Sequence, residues 1–400
     1  MIHTLAQKIH PGLRGAFFYA AYWGAVGAYE PFIAVYFLQR GLDEAQIGWM
    51  AAVLPFCTLL ISPLVSRLAD RTGRRVLLLA LACAGFGAAL TLPSWPGLEP
   101  GFPLLLLLFG LMAVFRSPVI PLSDSLIAPM AVRHQLDFGS MRLWGSLLFT
   151  AAAVGLGGLW QRIGFERMFL VSGLAFLPVV LAALLLEEPQ GHPAIPTPGL
   201  KEVPRARFVF DPGVLFLLAG TFLIIAGLFM AGTFGAVYVT GLGGSPSLVG
   251  ALMGLAALGE VHGMLFGLRI ARRLGDTTTL LAAYALMAAG LAGYTFSTLP
   301  AVLLAFAVLR GVGFGAILVC TVTIINRRAP PNMASTYQGI LSSACWGLAP
   351  LLGGPVSGWI YQTHGPIALF LTASAMAVAA GLLLTPTYRL WRNDAQNIGR

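Results

Sequence analysis

Apolar residues along this chain neither alternate nor recur every third or fourth position. They run on in long blocks, interrupted by short stretches rich in glycine, proline and arginine. Residues 213–259, 277–309 and 329–388 contain no Asp, Glu, Lys or Arg. A helix needs about 20 residues to cross roughly 30 Å of hydrocarbon, so each block is long enough to span a membrane at least once. With charged residues, Pro/Gly clusters and that length as breakpoints, the pattern predicts twelve spans. They lie at 14–39, 44–68, 76–95, 102–130, 138–160, 167–186, 213–240, 246–270, 278–297, 299–326, 333–362 and 366–387.

The stretch 188–212 has a different character. It holds six prolines with Lys201, Arg205 and Arg207 and has no apolar period, so it reads as a linker. It divides the chain into an N-terminal six-helix bundle (1–187) and a C-terminal one (213–400). A shift of 202 aligns 35–80 on 237–282 and matches, among others, Gly41 with Gly243, Gly48 with Gly250, Arg67 with Arg269, Arg71 with Arg273 and Gly73 with Gly275. Gly157 and Gln161 find Gly358 and Gln362 at a shift of 201. The expected fold is therefore an all-α membrane protein of two pseudo-symmetric six-helix bundles. Repeats of this kind suit a transporter whose site lies between the halves and whose rocking gives alternating access.

Composition supports the membrane reading. Apolar residues make up 58% of the chain and charged ones 10%, against about 25% charged in soluble domains. The net charge of +9 could suit a nucleic-acid binder, but the positive charges are sorted by face. If the N-terminus is cytoplasmic, that face carries Lys8, Arg14, Arg67, Arg71, Arg74, Arg75, Arg133, Lys201, Arg205, Arg207, Arg269, Arg272, Arg273, Arg327, Arg328, Arg389, Arg392 and Arg400; the other carries Arg40, Arg162 and Arg167. The positive-inside rule then places both termini in the cytoplasm of a multi-pass cell (inner) membrane protein and explains the basic excess without nucleic acid. Residues 1–13 are polar and the run after Arg14 shows no small-residue cleavage site, so a retained first helix is expected rather than a leader. Cys57, Cys83, Cys320 and Cys345 lie in apolar segments without paired spacing and read as buried thiols. No metal and no cofactor is expected beyond a proton as coupling ion. The expected partners are the lipid bilayer and a small-molecule solute, with the chain acting as a monomer.

After the second span runs Ser66-Arg-Leu-Ala-Asp70-Arg71-Thr-Gly73-Arg74-Arg75. An acid among arginines in a tight turn can make charge-assisted hydrogen bonds to a neighbouring helix end and hold one conformation until the bundle rearranges. The string resembles the loop signature of the major facilitator superfamily, with Ser66 where that family usually has Gly. Asp70, Arg71, Gly73 and Arg74, with Arg273 and Gly275 in the second half, are the conformational gate this resemblance implies. Three further places are similar to the lactose permease, nucleoside and phenylpropionate:proton symporter branch: Gly27-Ala-Tyr-Glu30-Pro31-Phe32, Asp124 with Phe138-Gly139-x-x-Arg142, and Gly259-Glu260.

Sorting the ionisable residues by span leaves Glu30, Asp124 and Glu260 against Arg116, Arg142 and Arg310, with His262 beside Glu260. An unpaired charge at the bilayer centre costs about 2.5–3.5 kcal/mol on insertion scales, so these six require pairing or a wet cavity. Three fixed salt bridges would satisfy that requirement as well as a functional site. Asp124 and Arg142 sit at similar depth and can meet; the resemblance makes them the first substrate-binding pair. Arg116 precedes Asp124 by eight residues, about 80° around a helix, and Pro118 and Pro121 between them free backbone carbonyls for a ligand or water. Tyr19, Trp23 and Glu30 recur on one face of the first span, where aromatic surface beside a carboxylate suits a sugar, a nucleoside or an aromatic ring.

Glu260 is the candidate proton carrier, because a carboxylate binds its proton more tightly in a dry cavity and less tightly beside an arginine. His262 could share the proton but points about 200° away on an ideal helix. Relative to the family, the His and Glu that lactose permease uses in its tenth helix fall at Gly313 and Ala316, and Phe149 stands where that permease stacks a tryptophan on the sugar. Either Glu260 works with Glu30 or Asp124 and with Arg310 in another arrangement, or the protein is a uniporter. The reading is a proton-coupled symporter of a small organic solute (sugar, nucleoside or aromatic acid). An efflux antiporter of the same fold is the alternative. A membrane enzyme finds no support, since there is no His-Glu-x-x-His, no Gly-x-Ser-x-Gly and no Walker loop.

Overall fold

The computed structural model describes residues 9–95, 97, 101–188, 212–329 and 334–398. All but the ends of the predicted linker 188–212 lie outside the described residues, as do Lys8 and Arg400. The described residues form helices joined by short turns, with no strand among them. Helix α1 is built of three pieces, Pro11–Gly27, a 3-10 turn Glu30–Phe32, and Ile33–Gln39. It is followed by α2 (Glu44–Thr72), α3 (Arg75–Thr91), α4 (Phe102–Arg116 and Val119–Arg133), α5 (Phe138–Ile163) and α6 (Glu166–Leu174 and Phe176–Leu184). The second half begins with α7 (Pro212–Gly241), α8 (Pro246–Leu274), α9 (Asp276–Ala292) and α10 (Pro300–Arg328). It ends with Ala334–Ser342, a π-helical turn Ser343–Leu348 and Ala349–Ile398, which Gly365 (φ 80°, ψ 177°) divides into α11 (334–364) and α12 (366–398).

Predicted and observed helix starts agree within three residues. Capping accounts for several of them. Asp43 and Gln46 form a reciprocal capping box at the start of α2, Asp137 accepts from the Gly139 and Ser140 amides at α5, and Ser245 caps α8. Among the described residues, ten helices are long and apolar enough to cross a membrane. The difference from the predicted twelve has two physical sources. The longest piece of α1 is 17 residues, because the helix breaks ahead of Pro31, and residues 336–387 run as one 52-residue stretch because both sides of Gly365 are helical.

The internal repeat is written in the backbone as well as in the sequence. Gly41 and Gly243, Gly73 and Gly275, and Gly164 and Gly365 take positive φ between 65° and 87°, a conformation that side chains other than hydrogen disfavour. Each pair closes the same turn in its half, after the first, second and fifth helices.

The halves touch where α2 meets α11 and α5 meets α8. A Cβ on Gly48 would lie 2.5 Å from the Gly354 carbonyl oxygen, and one on Gly157 would lie 2.6 Å from that of Pro246. Backbone-to-backbone packing of small residues is the main source of helix association where hydrophobic burial gives no advantage. These contacts cluster near Glu44, Gly157, Pro246 and Gly358, the end away from the arginine-rich loops. At the arginine-rich end, ion pairs bind each half to itself: Arg75 donates to Asp70 at 2.7 Å, and Arg327 of α10 pairs with Asp276 of α9.

Candidate functional site

Proline decides where Glu30 goes. Pro31 has no N–H, so α1 cannot continue through it; the Phe32 amide turns back to the Tyr29 carbonyl at 2.9 Å. The Ala28 carbonyl left over accepts from the buried Trp160 indole at 2.8 Å. This break takes Glu30 off the face it was expected to share with Tyr19 and Trp23 and brings it to Arg116 of α4, at 2.7 Å. The Arg116 guanidinium also lies 5.8 Å from the centre of the Tyr29 ring.

The prolines of α4 were expected to leave carbonyls open to a ligand, and the structure corrects this. Pro118 deprives the Val114 carbonyl of its donor, and the Ser117 hydroxyl supplies one at 3.3 Å. Pro121 deprives the Ser117 carbonyl, and the Ser62 hydroxyl of α2 donates to it at 2.7 Å. Both freed acceptors are engaged within the protein, so the kink is a joint between α2 and α4.

Asp124 and Arg142 do meet. Arg142, one turn beyond the Asp137 cap, places its Nη1 3.6 Å from the Asp124 carboxylate, whose other oxygen accepts from the Tyr19 hydroxyl at 2.6 Å. Tyr19 is fully buried, whereas the Arg142 side chain is 49% exposed. The pair is therefore anchored on one side and open on the other. Trp23 is half-buried and stands edge-on to Phe149, with ring centroids 6.2 Å apart.

Glu260 is positioned by a glycine seam between α8 and α10. A Cβ on Gly259 would lie 2.5 Å from the Val308 carbonyl, and Gly311 and Gly315 pack on the Ala256 and Glu260 carbonyls from the other side. Neither Glu260 nor Arg310 has an ion-pair partner within 4.0 Å among the described residues, and the buried Nε of Arg310 has no hydrogen-bond partner. The helix of Glu260, α8, packs on α10, which carries Arg310, and on α5 of the opposite half, which carries Arg142 and whose Thr150 hydroxyl donates to the Gly254 carbonyl at 3.1 Å. His262 does not join this group. Its Nδ1 is 2.8 Å from the Leu258 carbonyl and its ring stacks on Phe266 on the exposed side of α8, as two residues of helical rotation dictate. Gly313 and Ala316 are consumed by packing, against the Ala283 carbonyl of α9 and against Gly267 of α8.

In the gate loop, Asp70 bonds Arg75 at the start of α3 and Gly73 ends α2 with φ 65°, while Gly275 makes the matching turn with φ 87°. Arg71, Arg74 and Arg273 are exposed and form no ion pair within 4.0 Å among the described residues. The busiest carboxylate on this end was missed. Glu187, at the end of α6, bonds Arg14 (2.8 Å), Arg133 (3.3 Å) and His134 (3.2 Å), tying α1, α4 and α6 together. Its neighbour Glu188 accepts from the Val76 amide of α3 at 2.7 Å. Partial burial would raise the Glu187 carboxyl, but the His134 and Arg14 bonds outweigh it and hold the group below the usual carboxylate range. The signal in the sequence is an acidic dipeptide, Glu187-Glu188, on a face otherwise crowded with arginine.

Comparison with known proteins places this geometry. Residues 13–372 match the model of the MFS_1 like family. Over 372 residues, 92% of each chain, the protein is 28% identical to the maltose permease of Geobacillus stearothermophilus. The fold superposes on the nucleoside transporter NupG with a TM-score of 0.77, covering 95% of this chain and 99% of that one at 14% identity. It superposes on a D-xylose-proton symporter with a TM-score of 0.70, covering 96% and 97% at 15% identity. At these identities the structural likeness speaks to the fold alone.

Proposed function

The chain belongs to the MFS_1 like family and is a multi-pass membrane transporter rather than an enzyme; from that premise we propose that it is a proton-coupled symporter of a small organic solute, working by alternating access. One observation carries the reading. Glu260 forms no ion pair within 4.0 Å among the described residues, and its helix α8 packs on α10, which carries Arg310, and on α5 of the opposite half, which carries Arg142. Rocking of the halves changes the distance from Arg142 to Glu260. With Arg142 close, the carboxylate is stabilised without its proton; with Arg142 engaged elsewhere, the proton returns.

What draws Arg142 away is the solute. Asp124 and Arg142 together present two acceptors and a planar fork of donors, a set that grips adjacent hydroxyls or a carboxylate, and Trp23 and Phe149 offer aromatic faces to a ring. Glu30 and Arg116 form the fixed brace behind them. In this reading the arginine-rich end is cytoplasmic, the halves are closed at the opposite end, and no cofactor beyond the proton takes part. The solutes that fit are a sugar, a nucleoside or an aromatic acid, and the likeness to the maltose permease supports the first.

Purified protein in liposomes, given a pH gradient and labelled maltose, uridine or phenylpropionate in turn, tests the proposal. Accumulation of one of them above its equilibrium level, collapsed by a protonophore, is the expected outcome. Uptake that merely equilibrates, at the same rate with and without the gradient, overturns proton coupling.

A further inference from the structure

A cavity of about 420 Å³ opens at the arginine-rich end of the C-terminal half, where α8 ends, α9 begins and α10 ends. Arg272 of α8 and Arg327 of α10 bring positive charge to its wall; Asp276 of α9 and Thr323 of α10 bring oxygen acceptors. Arg327 is already bonded to Asp276. Arg272 is exposed and forms no ion pair within 4.0 Å among the described residues, so the wall keeps one positive charge that nothing in it cancels. The Thr323 hydroxyl gives its proton to the Val319 carbonyl at 2.8 Å, which leaves its oxygen free only to accept.

Apolar surface leads up to this charge. Leu265, Leu268 and Arg272 follow one another at steps of three and four residues, the spacing that stacks side chains on one helix face. Leu265 is 56% exposed and Leu268 lines the cavity. Residues 261–268 contain no Asp, Glu, Lys or Arg, and Arg269, Arg272 and Arg273 then close the apolar run of α8. A lipid molecule has the same order of surfaces, chain first and charged head beyond it.

The walls narrow the head. At roughly 30 Å³ per water the cavity equals about fourteen waters, close to the roughly fifteen non-hydrogen atoms of a phosphodiester with a glycerol on each side. Inorganic phosphate would fill about a third of that space and leave the Leu265 strip uncovered. A choline head brings no hydroxyl to Asp276 and Thr323. An ethanolamine head would bring its ammonium to Asp276 against the Arg327 guanidinium that already holds it.

We propose that this cavity binds the headgroup of an anionic phospholipid of the phosphatidylglycerol type. The phosphate sits on Arg272, the head glycerol gives its hydroxyl protons to Asp276 and Thr323, and an acyl chain lies along Leu268 and Leu265. Basic recesses between helices at a membrane surface draw anionic lipid in this way. The site depends neither on the identity of the solute nor on proton coupling.

The test titrates the full chain, purified in detergent, with dioctanoylphosphatidylglycerol and reads the bound fraction by native mass spectrometry. One lipid should bind saturably, and the choline and ethanolamine lipids of the same chains should bind at least about tenfold more weakly. Arg272→Gln should weaken the glycerol lipid about 10- to 100-fold, the scale of a lost charge-assisted hydrogen bond, and leave the choline lipid unchanged. Thr323→Val should weaken it about fivefold, as for one bond between uncharged groups, and decides alone if Arg272→Gln fails to fold. Arg162→Gln, at the opposite end of the molecule, should change nothing. Equal or tighter binding of the choline or ethanolamine lipid overturns the proposal, as does parent-like affinity in Arg272→Gln. A loss in Arg162→Gln as large as in Arg272→Gln would reduce the effect to general charge attraction and overturn it too. Glycerophosphoglycerol without chains should displace the lipid only weakly; displacement at the lipid's own affinity would make this a site for a soluble phosphate ester instead. Binding is read here without transport, so a chain that accumulates nothing in liposomes leaves this result standing.

Discussion

The two halves carry the same helices but treat their membrane charges in opposite ways. In the N-terminal half both acids are paired, Glu30 with Arg116 at 2.7 Å and Asp124 with Arg142 at 3.6 Å. In the C-terminal half Glu260 and Arg310 sit in one glycine seam and form no ion pair within 4.0 Å among the described residues. A completed pair with one partner largely buried, as Arg116 is at 14% exposure, is a brace that is costly to break from one side. An uncompleted one is tolerable only if something else answers its charge part of the time. On the reading proposed above, Glu30 and Arg116 serve as the brace and Glu260 is the acid that exchanges partners, with Arg142 the group that serves both halves.

The sharpest way to break this comparison is Glu260→Gln, which removes the one acid without a fixed partner. Proton-driven accumulation in liposomes should fall by at least about 100-fold, to the equilibrium level, while exchange of labelled for unlabelled solute stays within about twofold, because binding and rocking are untouched. Accumulation like the parent's would move the proton elsewhere. Arg142→Lys comes next. A point charge cannot reproduce the planar fork on Asp124 and a solute, so solute affinity, read by titration, should weaken about 10- to 100-fold, or about 1.4–2.8 kcal/mol. Unchanged affinity would make Asp124 and Arg142 a helix-end ion pair and nothing more.

Much of this could be read from the sequence, and the parts that could not share a cause. Spans and repeat follow from long-range pattern, which helical geometry and the hydrocarbon thickness enforce. The meeting of Asp124 with Arg142 follows from depth, since both sit near the same end of adjacent helices. What periodicity missed is where the backbone departs from the ideal helix. The break before Pro31 sends Glu30 to Arg116 rather than along the Tyr19 face, and the α4 prolines expose carbonyls that Ser62 and Ser117 occupy. Which hydroxyl reaches which orphaned carbonyl depends on the approach of α2 to α4, a tertiary fact with no local signature. Glu187 was overlooked for a related reason, because its three partners come from α1, α4 and the turn after it, 53 to 173 residues away in the chain.

Ser62→Ala probes the braced half on a smaller scale. It leaves the Ser117 carbonyl buried and without a donor, at a cost of about 1–3 kcal/mol. The melting temperature of the purified protein should drop while proton-driven accumulation per folded molecule is retained. An unchanged melting temperature would mean that water has taken the serine's place, and the kink would return to the list of candidate ligand contacts.

The smallest expected effect is at Glu187, on the arginine-rich end of the same half. Its carboxyl is held below the ordinary range by His134 and Arg14 in the folded protein, so folding favours the ionised form. The resulting stability is fully present above the ordinary carboxylate value of about 4.3 and is lost as the pH falls through the lower folded value. Glu187→Gln should therefore melt earlier than the parent at neutral pH, by the equivalent of about 1 kcal/mol or less for a partly solvated cluster. The two curves should converge in acid below that range. If the gap instead persists unchanged into acid, Glu187 holds α1, α4 and α6 together by packing rather than by charge, and the charge brace of the N-terminal half is confined to its membrane-spanning pairs.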